Sequence, residues 1–211
     1  MQKIIFILLS LFVASCSTTK PLSIQTNSSD ILYLGVNNPL VFKGNNLTKA
    51  NVSIDNGTIN ELTEQSNDTI KSYIIKVDNH KPTYVTIKQN KTTTTLKYRN
   101  KKIPDPEIFI GTDSARIKSC SITENKFRTA TGLGCNIPAF DYGISMKIIS
   151  FKLTTIKNGK NSISQTINGN IVKNYTQFAD SSDIYIFHDI LMEFIETKEQ
   201  RILSGPTVFV K

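Results

Sequence analysis

Short runs of β-branched and aromatic residues, separated by Asn, Gly and Asp, constrain the fold of this chain more than any other feature. Such residues favour a pleated, half-buried surface, and the polar separators favour turns. In the first half the runs are Thr69–Val77 (TIKSYIIKV), Pro82–Lys88 (PTYVTIK) and Thr92–Tyr98 (TTTTLKY). Their close spacing predicts a small antiparallel β-sandwich, and the chain as a whole is predicted to be mainly β.

The stretch Ile31–Gly44 (ILYLGVNNPLVFKG) reads as a strand that is broken in its middle. Asn37 and Asn38 can hydrogen-bond nearby backbone, and Pro39 fixes φ and lacks an N–H. The pattern predicts a strand that leaves one pairing and joins another. A structural joint explains it better than a ligand-binding loop.

A tight turn is predicted at Asp55-Asn56-Gly57, directly after a strand over Ala50–Ile54. Asn, Asp and Gly tolerate the positive φ that a two-residue hairpin requires. The sequence therefore predicts a β-hairpin at this point.

Two prolines in three residues mark a boundary between two domains. The segment KKIPDP contains Ile103, Pro104, Asp105 and Pro106. Proline is excluded from central strands and holds its predecessor in an extended conformation. The sequence therefore predicts a short, stiff linker on which two β-sandwich domains are hinged, over residues 31–103 and 104–211, each immunoglobulin-like.

The second domain is predicted to combine long strands with two short helices. The predicted helices are Glu124–Thr129, capped by Thr123, and Ile171–Phe178; the predicted strands include Ser145–Ile156, Asn161–Ile167, Asp183–Ile195 and Pro206–Val210. A change of apolar phase predicts a bulge near Ile148. Asp183–Ile195 also suits a helix stripe, but its β-branched and aromatic residues favour a strand buried on both faces.

The N-terminus has the form of a secretory signal. Lys3 precedes an apolar run that is too short to span a bilayer, and Val13-Ala14-Ser15-Cys16 follows. That ending resembles the bacterial lipobox, which implies a signal peptide over 1–15, lipid on Cys16 and a membrane anchor. Residues 16–30 are polar and predict a flexible tether. We expect an outer-membrane lipoprotein that faces the periplasm; a plain signal peptide is the alternative.

The positive charge of the chain does not indicate nucleic-acid binding. The formal net charge is +8 at pH 7. Lysines are scattered along alternating segments, whereas a nucleic-acid interface requires a clustered patch. We expect the charged side chains to lie on solvent-exposed faces of strands, and we expect no nucleic-acid partner.

Cys120 and Cys135 form an even pair in a chain that is expected to be exported. An oxidising compartment favours a disulfide between them, which would stabilise the fold by about 3 kcal/mol in the chain-entropy model. Two buried thiols are the alternative. Neither cysteine has a neighbouring histidine that would indicate catalysis.

Three motifs in order resemble one protein family. They are YLGVNNPL (33–40), KKIPDP (101–106) and FDYGISMKIISFKL (140–153). Together they resemble the C-terminal periplasmic domains of the GldM/PorM family of gliding motility and type IX secretion. The resemblance implies immunoglobulin-like domains that dock to envelope proteins or to each other. This chain has no counterpart of that family's transmembrane helix and first two periplasmic domains, so energy transduction is not implied.

No motif for catalysis, a cofactor or a metal is present in the sequence. His80 lies in a predicted turn and is expected to be solvated; His188 lies in an apolar run and is expected to be buried and hydrogen-bonded. Serine nucleophile elbows, phosphate loops and H-E-x-x-H are absent. Asp105, Glu107 and Asp113 are sparse acids without the regular spacing of a calcium loop. Asp68-Thr69-Ile70 and Asp113-Ser114-Ala115 match a short bacterial O-glycosylation pattern.

These observations predict a non-enzymatic, lipid-anchored envelope protein that docks to partners through two β domains. A surface glycan-binding or adhesive lipoprotein is the alternative, although the chain has no tryptophan for an aromatic platform. An envelope hydrolase would need a pair of carboxylates that no motif positions.

Overall fold

A computed structural model describes residues 25–26, 29–112 and 115–211. The predicted signal peptide, Cys16 and most of the predicted tether lie outside these residues, as do Asp113 and Ser114. Within the described ranges, no helix is long and apolar enough to cross a bilayer.

Eight strands are described in the N-terminal half of the chain. They are β1 Gln25–Thr26, β2 Ile31–Tyr33, β3 Asn38–Lys43, β4 Asn51–Ile54, β5 Thr58–Glu61, β6 Ile70–Lys76, β7 Thr83–Gln89 and β8 Thr92–Lys101. Short 3-10 helices span Leu47–Lys49 and Thr63–Gln65. One sheet has the order β1-β3-β6-β5 and the other β2-β8-β7-β4.

This strand order is that of an immunoglobulin domain. If the strands are lettered along the chain with β2 as an accessory A′, the sheets read A-B-E-D and A′-G-F-C. Alternate residues of each strand point into the sandwich, where Leu40, Phe42, Ile75, Val85 and Ile87 are almost fully buried. The predicted β-sandwich is confirmed.

The broken strand at Ile31–Gly44 does switch partners. β2 pairs in parallel with β8, whereas β3 pairs antiparallel with β6 in the opposite sheet. Asn38 holds the switch: its Oδ1 accepts from Tyr33 N at 2.7 Å, and its Nδ2 donates to Tyr33 O at 2.8 Å. The same amide nitrogen also donates to the carbonyl oxygens of Val36 and Ile75. The predicted joint is therefore confirmed, with its buried amide at Asn38.

The predicted hairpin at Asp55-Asn56-Gly57 is wrong. β4 pairs with β7 in one sheet and β5 pairs with β6 in the other, so the turn carries the chain across the sandwich. Asn56 is buried and its Nδ2 donates to Lys81 O at 3.0 Å. Because this amide ties the turn to the loop after β6, the chain is drawn between sheets instead of folding back on itself.

Nine strands and two helices are described in the C-terminal half. The strands are β9 Glu107–Thr112, β10 Ala115–Ile117, β11 Cys120–Ile122, β12 Leu133–Asn136, β13 Met146–Lys157, β14 Asn161–Asn168, β15 Ile184–Phe194, β16 Gln200–Leu203 and β17 Thr207–Val210. The helices are α1 Glu124–Arg128 and α2 Lys173–Thr176. A three-stranded sheet has the order β10-β9-β12. A six-stranded sheet has the order β11-β17-β15-β13-β14, with β16 also paired to β15.

The second β-sandwich has its own core between these two sheets. Ile110 and Leu133 from the small sheet, Phe151 and Phe187 from the large sheet, and Phe127 from α1 meet there. Among the described residues, no strand of one half pairs with a strand of the other. The mainly β fold with short helices in its second part is confirmed.

The long strands follow the sequence pattern closely. Register shifts between Ile148, Ser150 and Lys152 confirm the bulge predicted near Ile148. Asp183–Ile195 is a strand, as predicted, but burial on both faces is wrong. Its burial pattern alternates, because one face packs on the core and the other faces outward.

The predicted disulfide between Cys120 and Cys135 is not formed. Cys120 lies on β11 of the large sheet and is exposed, while Cys135 lies on β12 of the small sheet and packs against the core. The two thiols therefore have different surroundings, one open to solvent and the other packed against the core. The alternative of two buried thiols also fails for Cys120, which is exposed.

Candidate docking surface

Among the described residues, the outward face of the six-stranded sheet carries apolar side chains that are exposed or partly exposed. Phe209, Ile184 and Ile156 lie side by side across β17, β15 and β13. Phe209 is 48% exposed and the two isoleucines are partly exposed. We call this surface the outer sheet face; its next row is Thr207, Ile186, Thr154 and Ser164, and the third is His188, Lys152 and Thr166.

Strand alternation accounts for this face. Tyr185, Phe187 and Val208 point inward and are almost fully buried, so their neighbours in sequence must point outward. An antiparallel sheet that packs on one side normally presents polar residues on the other. Here isoleucine and phenylalanine instead occupy three adjacent outward positions.

A polar cluster borders the apolar row where the strands bulge. Asp189 has a positive φ of 47° within β15, and its carboxylate pairs with Lys152 Nζ at 2.9 Å. This hydrogen-bonded ammonium holds the pKa of the Asp189 carboxyl below its ordinary value. His188 Nε2 lies 3.0 Å from Thr154 Oγ1. The prediction that His188 is buried is wrong, because its side chain is 37% exposed.

Thr154, His188 and Asp189 lie in the order hydroxyl, imidazole, carboxylate, but the arrangement lacks the other parts of an acyl-transfer site. The second contact, between His188 Nδ1 and Asp189 Oδ2, is long at 3.5 Å. Thr154 lies in the middle of β13, which pairs with strands on both sides. Its neighbouring backbone N–H groups are therefore used by the sheet and are not aimed at a developing oxyanion.

An apolar cluster joins the two sandwiches. Val36 and Ile103 from the N-terminal side and Met192 and Phe194 from β15 are at most 3% exposed. Around them, the rings of Tyr33, Phe140 and Tyr142 pack edge-to-face or tilted, with centroid distances of 4.7 to 5.0 Å. Burial of each such aliphatic or aromatic side chain contributes about 1.5–3 kcal/mol, so this interdomain cluster dominates the joint.

Arg201 fixes the linker against this cluster. Its Nη1 donates to Ile103 O at 2.8 Å and to Asp105 Oδ1 at 2.6 Å, and its Nε donates to Glu199 Oε1 at 3.0 Å. The guanidinium lies over the Phe194 ring, 4.7 Å from its centroid. Burial lowers the pKa of Arg201, but the hydrogen bonds to Glu199 and Asp105 outweigh it and raise the pKa overall.

The predicted linker is thus packed at Ile103 and tied at Asp105. Pro104 is exposed and Pro106 is buried. Of the sparse acids, Asp105 pairs with Arg201 and Glu107 pairs with Lys118, while Asp113 lies outside the described residues. Within the part of the chain that the structure describes, no group of three His, Cys, Asp or Glu side chains is placed to hold a metal.

The remaining predicted positions are on the surface. His80 is exposed in the loop between β6 and β7. Thr69 of the first glycosylation pattern is exposed, and its Oγ1 donates to Asn67 Oδ1 at 3.0 Å. Ser114 of the second pattern lies outside the described residues.

No protein-family model matches the chain, and no curated protein matches it. Solved structures are similar at low identity. Domains 4-9 of the surface layer protein SbsC give a TM-score of 0.35 at 10% identity, over 90% of this chain and 31% of that one. The Yersinia pseudotuberculosis adhesin InvE gives a TM-score of 0.29 at 7% identity, over 87% of this chain and 58% of that one. A chimeric titin Z1Z2-Z1Z2 tandem gives a TM-score of 0.28 at 12% identity, over 90% of this chain and 100% of that one.

The chain thus spans 31% of the SbsC structure and 58% of the InvE structure. At these TM-scores the similarities carry no functional argument.

Sequence reasoning missed the outer sheet face. Ile184 and Ile186 belong to a strand that the sequence predicts to be buried on both faces, and the sequence pattern predicts no face for Ile156. The signal that could have separated the faces is the aromatic residue at every second position, Tyr185 and Phe187, which marks the packed side.

Proposed function

We propose that this chain is a non-enzymatic, lipid-anchored envelope protein that docks to protein partners through its two β domains. The observation that carries the proposal is the outer sheet face, where Phe209 is 48% exposed beside the partly exposed Ile184 and Ile156. Exposed apolar side chains rimmed by charged groups are typical of protein interaction sites. Here Lys152 and Asp189 supply the charged rim.

A protein partner suits this face better than a glycan. Sugar binding usually relies on several aromatic side chains that form a platform. The outer sheet face offers one large apolar aromatic residue, Phe209, beside three isoleucines, with hydroxyl-bearing and charged side chains around them. An apolar centre with a polar rim is typical of an interface between proteins.

Membership of the gliding-motility and type IX secretion machinery is the finer form of this proposal. Its support is where the three sequence motifs lie. Tyr33 and Val36 come from the first motif, Ile103 from the second, and Phe140 and Tyr142 from the third; all five belong to the interdomain cluster. The motifs therefore specify one joint, which is what a shared two-domain architecture would require.

The docking proposal is tested by affinity capture from solubilised cell envelopes with the tagged full chain. Phe209→Asp places a charge in the apolar row and should abolish recovery of envelope proteins. Ile171→Asp is the matched control, because Ile171 is 61% exposed but lies outside the outer sheet face. Recovery of the same proteins with Phe209→Asp, or of none with the unmodified chain, would contradict the proposal.

The anchor is tested separately. Metabolic labelling with a fatty acid should mark the unmodified chain and leave Cys16→Ser unlabelled. Recovery of secretion or motility proteins in the capture experiment would support the finer proposal, and recovery of unrelated envelope proteins only would oppose it.

A further inference from the structure

Strand β14 leaves a long unpaired edge at one side of the six-stranded sheet. It pairs with β13 and with no other strand among the described residues. β14 has eight residues, whereas the other edge strands described, such as β5, β4 and β11, have four or fewer. A free edge of this length presents a row of backbone N–H and C=O groups that can pair with another strand.

This edge lacks the features by which proteins usually protect such strands. Natural edges are kept short, or carry lysine or proline. The sequence from 161 to 170, NSISQTINGN, has no charged residue and no proline. Residues 162–166 are all exposed, and Ile163 is 62% exposed.

The order of side chains along β14 is nearly symmetric about Gln165. Ser164 and Thr166 flank it, then Ile163 and Ile167, then Ser162 and Asn168. In an antiparallel pair of identical strands centred on Gln165, isoleucine would face isoleucine, Ser164 would face Thr166, and Gln165 would face its own copy. The two isoleucines lie on the same side of the strand because they are four residues apart.

We propose that two copies of this chain pair antiparallel through β14, about a two-fold axis at Gln165. Ile163 of each copy then lies opposite Ile167 of the other, with Cβ atoms about 5 Å apart. This contact covers the exposed side chain of Ile163, on the same side of the strand as the Gln165 pair at the axis. Hydroxyl-bearing Ser164 and Thr166 meet on the opposite side, and no like charges oppose each other within the strand.

The pairing joins the two six-stranded sheets into one continuous sheet. The outer sheet faces of both copies then lie on the same side of this joined sheet, because residues that face each other in an antiparallel pair point to the same side. This inference goes beyond the proposed docking function and stands without it, because the edge and the apolar row consist of different residues.

Oxidative cross-linking tests the register. In the full chain with Cys120→Ser, which removes the thiol that is exposed among the described residues, Gln165→Cys places two thiols opposite each other at the axis. Copper-phenanthroline oxidation should give a covalent dimer. Asn60→Cys on the exposed edge strand β5 is the matched control and should remain monomeric.

Charge insertion tests the interface. Gln165→Lys opposes two ammonium groups at the axis and should weaken dimerisation at least about tenfold in sedimentation equilibrium. Asn60→Lys should leave it unchanged, and Ser164→Lys provides a second disruptive variant should the first not fold. A monomeric unmodified chain, or a dimer that neither cross-links at 165 nor weakens with either lysine, would overturn the proposal. Capture of envelope partners by Phe209→Asp is read independently of both experiments.

Discussion

Asn38 shows how one side chain directs the path of the chain. Its amide satisfies backbone groups of the segment 33–36 that leaves one sheet, and of β6 in the sheet that the chain joins. The side chain is 1% exposed, so water cannot replace it. The Asn-Asn-Pro sequence indicated a change of partner. It did not reveal which asparagine is buried, because that depends on β6, which lies more than thirty residues away.

Asn38→Ala should lower the free energy of unfolding by about 2–4 kcal/mol, because several buried backbone groups lose their partner. Asn37→Ala is the control: Asn37 is exposed, and its loss should cost no more than about 0.5 kcal/mol. Urea denaturation followed by circular dichroism measures both. Equal costs for the two variants would show that the Asn38 amide does not hold the switch.

A second residue-scale feature is the pairing of Lys157 with Asp183. Asp183 is fully buried, and Lys157 Nζ donates to its Oδ2 and to Phe178 O. Burial lowers the pKa of Lys157, but the Asp183 hydrogen bond and neighbouring negative charge outweigh it, so the pKa lies above its ordinary value of 10.5.

Because the pKa of Lys157 is raised on folding, its contribution is fully present below pH 10.5 and is lost as pH rises through the folded value. Lys157→Met should therefore lower the melting temperature at pH 8. The deficit relative to the unmodified chain should shrink above pH 10.5. Lys160→Met, at an exposed position, should show no deficit at either pH. A pH-independent deficit would indicate lost packing instead of lost charge pairing.

At the scale of elements, the turn at 55–57 shows where local patterns mislead. Asp-Asn-Gly is suited to a hairpin, and nothing local separates a hairpin from a crossover between sheets. The distinction comes from the buried contact of Asn56 with the loop that contains Lys81. The strands themselves were predictable, since β6, β7, β8, β13 and β15 all follow alternating or β-branched runs.

Gly57→Ala should destabilise the fold by about 3 kcal/mol or more. Gly57 has a φ of 108°, and an added Cβ would lie 1.9 Å from Lys76 O, so the crossover would have to shift. Gly159→Ala is the matched control, with φ of 68° and open space around it, and should cost about 1 kcal/mol. Thermal unfolding of both variants provides the measurement. Similar losses would mean that the crossover adapts easily.

At the scale of the whole molecule, the interdomain cluster and Arg201 hold the two sandwiches together. The prolines at 104 and 106 predicted a short connection, but not that Ile103 would be buried against β15. That contact depends on side chains about ninety residues away, Met192 and Phe194. The outer sheet face could not be predicted from the sequence either. A strand rich in apolar residues has the same sequence pattern whether one face or both faces are buried.

Arg201→Met should loosen the joint while it leaves each sandwich folded. It removes the hydrogen bonds to Ile103 O and Asp105, and small-angle scattering should show a broader distribution of shapes. Arg99→Met is the control, since the Arg99–Asp30 pair is exposed and such pairs contribute about 0–1 kcal/mol. Unchanged scattering from Arg201→Met would mean that the apolar cluster alone sets the geometry.

The strand directions place Gln25 and Phe209 far from the joint between the two sandwiches. Gln25 pairs with Lys43, at the end of β3 away from Asn38 and the joint. In the second sandwich Phe194 lies in the interdomain cluster, and Ile184, beside Phe209, lies ten residues away along β15, about 33 Å for an extended strand. Under the proposed function, the lipid anchor would lie on the Gln25 side of the first sandwich and the partner would bind beside Phe209 in the second. A force between anchor and partner would then pass along both sandwiches and across residues 102–106.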